Sequence, residues 1–207
     1  MTEPKVMIGV PMTKDFKIDL RTSYWCNREK DFGVGWTFRA DAGGSVSRNK
    51  NAMIKLLLEK DFTHFFCMNN DTWTSHNAVN KLLAHDVDIV SGVAPGFSGE
   101  FFWMGQLERN VVLKIHKLPD KLTKAARGGG PGMLVKRKVF EKMEFPWFDF
   151  IQGNDGQEMS EDYYFSDKAV DMGFEVWIDP NIVLHHCHNG MDLLPLAEAV
   201  GRAKRKD

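Results

Sequence analysis

Three short polar segments contain residue types suited to metal binding or proton transfer. The first, Asn69-Asn70-Asp71, follows a hydrophobic run. Side chains at positions i and i+2 of an extended chain point the same way, so Asn69 and Asp71 would share a face. Carboxylate and amide oxygens are ligands that Mg²⁺ and Mn²⁺ prefer. Such residues also form ordinary turns after strands, and the pattern alone leaves both interpretations open.

The second segment, Ser160-Glu161-Asp162, places two carboxylates at the start of a predicted helix. A helix N-terminus stabilises an ionised carboxylate, and a fixed carboxylate can remove a proton from an incoming hydroxyl group. The pattern therefore fits a general base. Simple capping of the helix is the alternative explanation.

The third segment is the histidine-rich run 185–190, HHCHNG. Four consecutive side chains of an extended chain cannot all reach one ion. One histidine, or the i, i+2 pair His186 and His188, could bind a metal. A polar strand end with a hydrogen-bonded histidine fits the pattern equally well.

The composition is that of an ordinary globular protein. The chain has 207 residues, with 27 Lys and Arg against 28 Asp and Glu, and 43% of its residues are hydrophobic. That length suits one domain with a substantial core, and the balance excludes disordered, collagen-like and coiled-coil proteins. The near-neutral charge argues against bulk electrostatic binding of nucleic acid.

The apolar segments and the cysteines of the sequence predict where the protein is located. No apolar run approaches the ~20 residues of a membrane-spanning helix, and no basic region followed by an apolar stretch marks a signal peptide. Cys26, Cys67 and Cys187 have no metal-type spacing. We therefore expect a cytoplasmic protein without a transmembrane segment, whose cysteines are reduced.

Strand and helix patterns alternate in the first half of the chain. Short apolar runs at 5–12, 61–69 and 87–93 predict buried strands. Helical spacing between them predicts two helices, capped by Ser47 and Ser75. This alternation implies right-handed crossovers and a parallel sheet. Ligands of such sheets bind outside the carboxyl ends of the strands, so the chain just after each of these strands should meet at one cleft.

The remaining segments give weaker patterns. Segment 13–45 shows no clear periodicity. In the second half, the pattern predicts a hairpin at 101–118 and a glycine run at 127–132, followed by a strand and a short helix. It then predicts a helix that begins after Ser160 and ends at Gly173, extended pieces at 175–178 and 181–184, and a terminal helix at 193–206.

Taken in order, these segments resemble a glycosyltransferase of the GT-A fold, near the family-two-like enzymes of bacteria and phages. The resemblance covers 6–190. In the first half, VMIGVPM resembles the first nucleotide-binding strand, Ser47-Arg48-Asn49 the opening of the second helix, FCMNND the strand with D-x-D, and LLAHDVDIVSGV the segment that follows it. In the second half, 129–140 resembles the segment beside the donor, Ser160-Glu161-Asp162 the acidic motif of the base, and 179–186 the segment that ends in a metal-binding histidine.

The resemblance implies an α/β fold of GT-A type, Rossmann-like, with a mixed, mainly parallel sheet flanked by helices. It implies one domain over 1–207, with a nucleotide-binding half at 1–95, an acceptor and catalytic half at 96–190 and a C-terminal helix at 191–207. It also implies transfer of a sugar from a nucleotide-sugar donor, a UDP-sugar, to an acceptor hydroxyl. A base opposite the leaving group would give inversion, which we expect, although the sequence does not decide between inversion and retention. Mn²⁺ or Mg²⁺ would bridge the diphosphate. The acceptor class (glycan, lipid or modified nucleic acid) and the oligomeric state stay open.

Roles for individual residues follow from their places in the resemblance. Asp71 would be the main metal ligand and His186 the second, with His185 and His188 as rivals. Asp162 would be the base, with Glu161 beside it. The donor contacts would be Pro11, Arg48, Asn69, Asn70, Gly129 and Gly130, while Asp88 would touch the donor or support the fold, and Trp73 and Trp103 are candidates for stacking or simple packing.

Three other functions stay open, the first of them because the sequence departs from the family pattern at Asn69. Asn69 stands where the first aspartate of D-x-D is expected, and an amide can still accept or coordinate but brings no charge. A catalytically degenerate nucleotide-sugar-binding protein is therefore one alternative. A nucleotidyltransferase is another, since such sheets also bind nucleoside triphosphates. A phage-type enzyme acting on modified DNA bases is a third, in which the basic end at 202–206 would contact phosphates.

Overall fold

The computed structural model describes residues 4–12, 17–29, 35–39, 45–152 and 158–204. Within these ranges the helices are α1 (Leu20–Glu29), α2 (Val46–Glu59), α3 (Ala78–Leu83), α4 (Arg137–Lys142), α5 (Glu161–Asp171) and α6 (Leu194–Lys204). The strands are β1 (Val6–Pro11), β2 (Gly35–Arg39), β3 (His64–Cys67), β4 (Thr72–Thr74), β5 (Ile89–Val93), β6 (Pro95–Ser98), β7 (Glu100–Trp103), β8 (Gly105–Gln106), β9 (Leu113–Lys114), β10 (Thr123–Ala125), β11 (Arg127–Gly128), β12 (Met133–Lys136), β13 (Ile151–Gln152), β14 (Glu158–Met159), β15 (Val176–His188) and β16 (Met191–Asp192).

A mixed sheet forms the centre of the fold. Its strand order is β10-β15-β5-β12-β3-β1-β2. β1 runs parallel to β2 and β3, and β15 runs parallel to β5. β12 lies antiparallel between β3 and β5, and β10 is antiparallel to β15. The predicted fold class, an α/β fold with a mixed sheet and flanking helices, is confirmed. The sheet was expected to be mainly parallel, but parallel and antiparallel pairs are equally frequent along this strand order, because β12 inserts antiparallel between β3 and β5.

The two faces of this sheet are buried by separate hydrophobic clusters. Consecutive residues of a strand point to opposite faces, so Phe65 joins the cluster with Met53 and Leu57 of α2, while Phe66 joins the cluster with Trp25 of α1. All six residues of β1 are buried. A sheet covered on both faces explains why the strands appear as continuous apolar runs in the sequence.

Several predicted boundaries are wrong, each for a local reason. α1 and β2 form within segment 13–45, where no periodicity was evident. Ser45, not Ser47, caps α2, because its side chain accepts a hydrogen bond from the Arg48 amide. α3 starts after Asn77 rather than at Ser75. The two extended pieces at 175–178 and 181–184 form one strand, β15, which passes an irregularity between Ile178 and Val183.

A small antiparallel sheet lies beyond the end of β5. β7 pairs with β6 on one side and with β9 on the other, so the predicted hairpin at 101–118 gains a third strand from 95–98. Trp103 is buried in this sheet, and its indole N–H donates to the Ile115 carbonyl at 3.0 Å. No helix of the described residues is both long and apolar enough to cross a membrane.

Candidate active site

The strand pairing of β4 with β15 brings the first and third polar segments together. Thr72 pairs with His186 in the antiparallel register, and the Cys187 amide donates to the Asp71 carbonyl at 2.9 Å. As a result, the Oδ2 atom of Asp71 lies 3.7 Å from the Nε2 atom of His186. Two segments that are more than a hundred residues apart in the sequence therefore share one location.

The hydrogen bonds of His186 leave one ring nitrogen directed at the carboxylate. Its Nδ1 atom lies 2.9 Å from the Pro95 carbonyl oxygen. Since a carbonyl oxygen only accepts, Nδ1 carries a proton, and Nε2 of the neutral ring has a free lone pair. A hydrogen bond from the second ring nitrogen to a carbonyl is the usual support of a metal-binding histidine. Burial lowers the pKa of His186, but its contacts with Asp71 and Pro95 outweigh that effect and raise the pKa above its usual value.

The residues at this point fit a divalent cation. The Oδ1 atom of Asp71 is buried and has no hydrogen-bond partner within the described ranges, and a buried oxygen without a partner is costly unless something occupies it. Among the described residues, no group of three or more His, Cys, Asp and Glu side chains converges. Mg²⁺ commonly takes only one or two carboxylates and completes its coordination with phosphate and water. Asp71 and His186 therefore supply a partial site of the kind that a bound diphosphate would complete.

The other two histidines occupy different environments. His185 points to the opposite face of β15, where it stacks on Trp73 at a centroid distance of 4.9 Å and its Nδ1 atom bonds to Asp192 at 2.7 Å. The guanidinium group of Arg21 covers the Trp73 ring at 4.0 Å. His188 is exposed and pairs with Met191 in the hairpin of β15 and β16. The structure thus brings His186, and neither neighbour, against Asp71.

A cavity of about 420 Å³ lies beside the second polar segment. Ser160 directly precedes α5. Its hydroxyl group donates to the Oδ1 atom of Asp162 and does not cap the helix amides. The Tyr163 amide donates to the same oxygen at 3.1 Å. The lining includes Asn69, Gly130, Ser160, Glu161, Asp162 and Tyr163, with apolar residues of 102–104 and 112–113 opposite.

The second carboxylate oxygen of Asp162 is the chemically available one. A Cβ atom placed on Gly130 would lie only 2.9 Å from Oδ2, so the glycine lets the chain approach this atom closely. Oδ2 accepts no hydrogen bond from any residue that the structure describes. Burial and the adjacent Glu161 charge raise the pKa of Asp162, while the charge of Lys50 opposes them. A carboxyl group with one oxygen held, one free and a raised pKa is suited to accept a proton.

A buried ion pair lies behind this carboxyl group. The Nζ atom of Lys50 in α2 lies 2.7 Å from the Oε1 atom of Glu161, and the lysine side chain is 1% exposed. Sequence reasoning missed Lys50. The signal was present, because Lys50 falls on the apolar stripe of α2 with Met53, Ile54 and Leu57, where a charged residue is unexpected.

The remaining predicted donor contacts are spread over several places. Asn70 holds the chain before α1, since its Nδ2 group donates to the Lys17 carbonyl at 2.7 Å. Pro11 ends β1 beside Arg39. Gly129 packs on Met104, and its carbonyl accepts from Ser91 at 3.2 Å.

Arg48 and Asp88, like Pro11, Asn70 and Gly129, do not line the cavity of Asp162. Arg48 lines a separate cavity of about 740 Å³ between α2 and the chain at 145–149. Asp88 precedes β5, at the end of the sheet away from the site, and pairs with Lys138 at 2.6 Å. The turn expected after Met12 falls on 13–16, and the basic end expected at 202–206 continues into 205 and 206; these residues lie outside the described ranges.

Comparison with known proteins identifies the fold. No protein-family model matches the chain, and no curated protein matches it by sequence. The crystal structure of A197 from STIV matches with a TM-score of 0.65 at 14% identity, over 91% of this chain and 89% of that one. GalNAc-T7, crystallised with UDP, GalNAc and Mn²⁺, matches with a TM-score of 0.52 at 10% identity, over 90% of this chain but 44% of that one.

A nucleotidyltransferase gives a comparable match. A putative glucose-1-phosphate thymidylyltransferase from Bacillus anthracis has a TM-score of 0.51 at 12% identity, over 97% of this chain and 96% of that one. At such identities the matches establish the fold and nothing finer. The chain therefore has the GT-A-like fold that glycosyltransferases and nucleotidyltransferases of nucleotide-sugar chemistry share.

Proposed function

We propose that the protein is a metal-dependent glycosyltransferase that moves a sugar from a nucleotide-sugar, such as a UDP-sugar, to an acceptor hydroxyl group. The observation that carries the proposal is the contact between Asp71 and His186. Asp71 lies two residues after Asn69, and Asn69 lines the same cavity as Asp162. A cation ligand pair and a free carboxylate oxygen are what a reaction with a diphosphate leaving group and a hydroxyl nucleophile requires. The fold shared with GalNAc-T7, a structure that contains UDP and Mn²⁺, supports it further.

In this reaction, the residues would bind the cation, contact the donor and accept the proton of the acceptor. Asp71 and His186 would hold Mn²⁺ or Mg²⁺, which when bound supplies positive charge to the diphosphate. Asn69 would accept a hydrogen bond from the donor through its amide oxygen. Asp162 would receive the proton of the acceptor hydroxyl at Oδ2 while Ser160 and the Tyr163 amide hold Oδ1. A base on the side opposite the leaving group gives inversion, which we include in the proposal.

Binding of donor and metal tests this function directly. A ligand that binds only the folded protein raises its melting temperature, so we expect UDP and UDP-sugars to raise it more with Mn²⁺ than without. Asp71→Ala removes one of the two protein ligands, and the Mn²⁺-dependent part of the shift should correspond to an affinity at least about tenfold weaker. Asp120→Ala, an exposed aspartate elsewhere, serves as the matched control. A full Mn²⁺-dependent shift in Asp71→Ala would show that the metal role is wrong.

Gly130→Ala tests the role of the cavity in catalysis. The new Cβ would lie 2.9 Å from Asp162 Oδ2, and the carboxyl group cannot move away freely because its other oxygen is held. We expect turnover of the nucleotide-sugar to fall by at least about tenfold, since displacement of a catalytic group by an ångström is costly. Gly201→Ala in α6 is the control, because its nearest neighbour would be 3.6 Å from the new Cβ. Equal turnover of the two variants would contradict the assignment of Asp162.

A nucleotidyltransferase is the second candidate. The thymidylyltransferase matches almost end to end, over 97% of this chain and 96% of the other. The same panel should therefore include nucleoside triphosphates with and without a sugar 1-phosphate. Formation of a nucleotide-sugar from that mixture would favour this alternative. A third outcome, donor binding without turnover, would favour the degenerate binding protein that Asn69 suggests.

A further inference from the structure

We propose that Lys50 is a positioning residue for Asp162: its buried ammonium group holds Glu161 and the first turn of α5, so that Asp162 presents a charged Oδ2 atom to the cavity. The inference rests on the function proposed above. It adds a residue from α2, which is far from the acidic segment in the sequence, to the machinery of the base.

The surroundings of the ammonium group fix it in place. One N–H donates to Glu161 Oε1 at 2.7 Å, and the Phe148 ring lies 5.3 Å from Nζ. The lysine side chain is 1% exposed. Because the ammonium group is buried between these partners, its charge stays beside α5.

The charge of Lys50 is the largest of the influences that lower the pKa of Asp162. Glu161 and Tyr163 of α5 and Cys67 of β3 also interact with Asp162, and the Arg127 guanidinium lies over the Tyr163 ring at 5.2 Å. Burial and Glu161 raise the pKa of Asp162, and Lys50 lowers it. Without the lysine, burial and Glu161 would act unopposed by that charge, and the pKa of Asp162 would rise further.

The geometry also explains why Glu161 precedes Asp162. Glu161 is 8% exposed and accepts from Lys50, so it anchors the first residue of α5. The next residue, Asp162, is then directed toward Gly130 and the cavity. Glu161 acts in this arrangement as the link between Lys50 and the base, and not as a second base.

A carboxyl titration by NMR tests the proposal without requiring activity. The protein is labelled with ¹³C at the aspartate carboxyl carbons, and the Asp162 signal is assigned by its loss in Asp162→Asn. An opposite charge within a few ångströms shifts a carboxyl pKa by about 1–3 units. We therefore expect the Asp162 midpoint to rise by about one unit or more in Lys50→Met and to stay near the wild-type value in Lys50→Arg.

Matched variants separate this role from a merely structural one. Lys55→Met removes an exposed lysine from the same helix and should leave the midpoint unchanged. Glu161→Gln removes the adjacent negative charge and should lower the midpoint, the opposite direction to Lys50→Met. The double variant Lys50→Met/Glu161→Gln should return toward the wild-type value, and it serves in place of Lys50→Met should the single variant not fold.

The outcomes distinguish this inference from the proposed function. An unchanged midpoint in folded Lys50→Met, or equal shifts in Lys50→Met and Lys55→Met, would overturn the role of Lys50 whatever the enzyme does. The expected shifts together with a failure of every nucleotide-sugar to turn over would support the electrostatic pairing and refute the glycosyltransferase. Where turnover is found, the acidic limb of its pH profile should move to higher pH in Lys50→Met, and Lys50→Arg should restore it.

Discussion

Arg127→Met is expected to lower the free energy of unfolding by about 3–5 kcal/mol, the range for removing one partner of a buried ion pair. Arg127 is 4% exposed. Its Nε and Nη2 groups donate to the two carboxylate oxygens of Asp167 at 2.8 and 2.5 Å. Its Nη1 group donates to Gln106 at 2.9 Å and to Asn110 at 3.0 Å. The substitution removes a donor from each of these acceptors. Asp167 keeps Arg109 at 3.1 Å and Gln106 keeps the Asn110 amide at 2.9 Å, but the two-pronged bond to Asp167 and the donor to the Asn110 side chain are lost.

The network also supports the cavity. Arg127 begins the glycine segment that reaches Gly130, and the following Gly128 amide donates to Ser166 of α5 at 3.2 Å. Asp167 lies on α5, five residues after Asp162. Loosening Arg127 should therefore let the glycine segment move relative to α5, and any turnover should fall along with the stability.

Urea unfolding of three variants measures this effect. Arg127→Lys keeps the charge but loses the two-pronged bond to Asp167, so we expect an intermediate loss. Arg202→Met is the control, since Arg202 is exposed and makes a helix-surface pair with Glu198 at 3.6 Å, a type of contact that contributes about 0.3–0.5 kcal/mol. A loss below about 1 kcal/mol for Arg127→Met would show that the network adds little stability.

The central strands of the fold could be predicted because their residues satisfy one simple condition. β1, β3 and β5 are short, mostly apolar runs, and both faces of each are buried. The fold class follows from their alternation with helices. By contrast, the buried face of α1 contains Trp25 and Cys26 among polar residues, so the helix as a whole has little hydrophobicity to mark it in the sequence. Its position depends on the packing of Trp25 against Phe66, which no local pattern contains.

The site shows where sequence reasoning reaches its limit. The alternation of side chains along β15 separates His185 from His186 and His188, but it cannot choose between the last two. The choice depends on the Pro95 carbonyl and on Asp71, which long-range strand pairing places beside His186. Ser160 occupies the N-cap position of α5, yet its hydroxyl group donates to the Oδ1 atom of Asp162 and accepts from no helix amide. The Tyr163 amide donates to the same carboxylate oxygen, so Asp162 takes the role of acceptor that a capping serine would have.

Asp162→Asn is expected to reduce turnover of the nucleotide-sugar by about 10²–10⁴-fold, the usual contribution of a general base. The amide oxygen can still accept from Ser160 and from the Tyr163 amide, so the side chain keeps its place. The group facing Gly130, however, becomes an amide that cannot take a proton. Transfer kinetics with a saturating donor, at a pH where the wild-type rate is constant, measure the loss.

The same substitution should make the protein more stable at neutral pH. The pKa of Asp162 is raised in the folded state by burial and by Glu161, so the native protein binds more protons than the unfolded chain between the unfolded and folded pKa values. In that window the free energy of unfolding of the wild type falls as the pH rises, and Asp162→Asn lacks this fall. Melting temperatures of the two proteins should therefore agree best at about pH 3, below the usual aspartate pKa, and diverge toward pH 7, with the variant higher. These predictions treat Asp162 as a position where the protein loses stability in order to keep a charged base in the cavity. A lower melting temperature for Asp162→Asn at neutral pH would contradict the loss of stability, and full turnover of the variant would contradict the role as base.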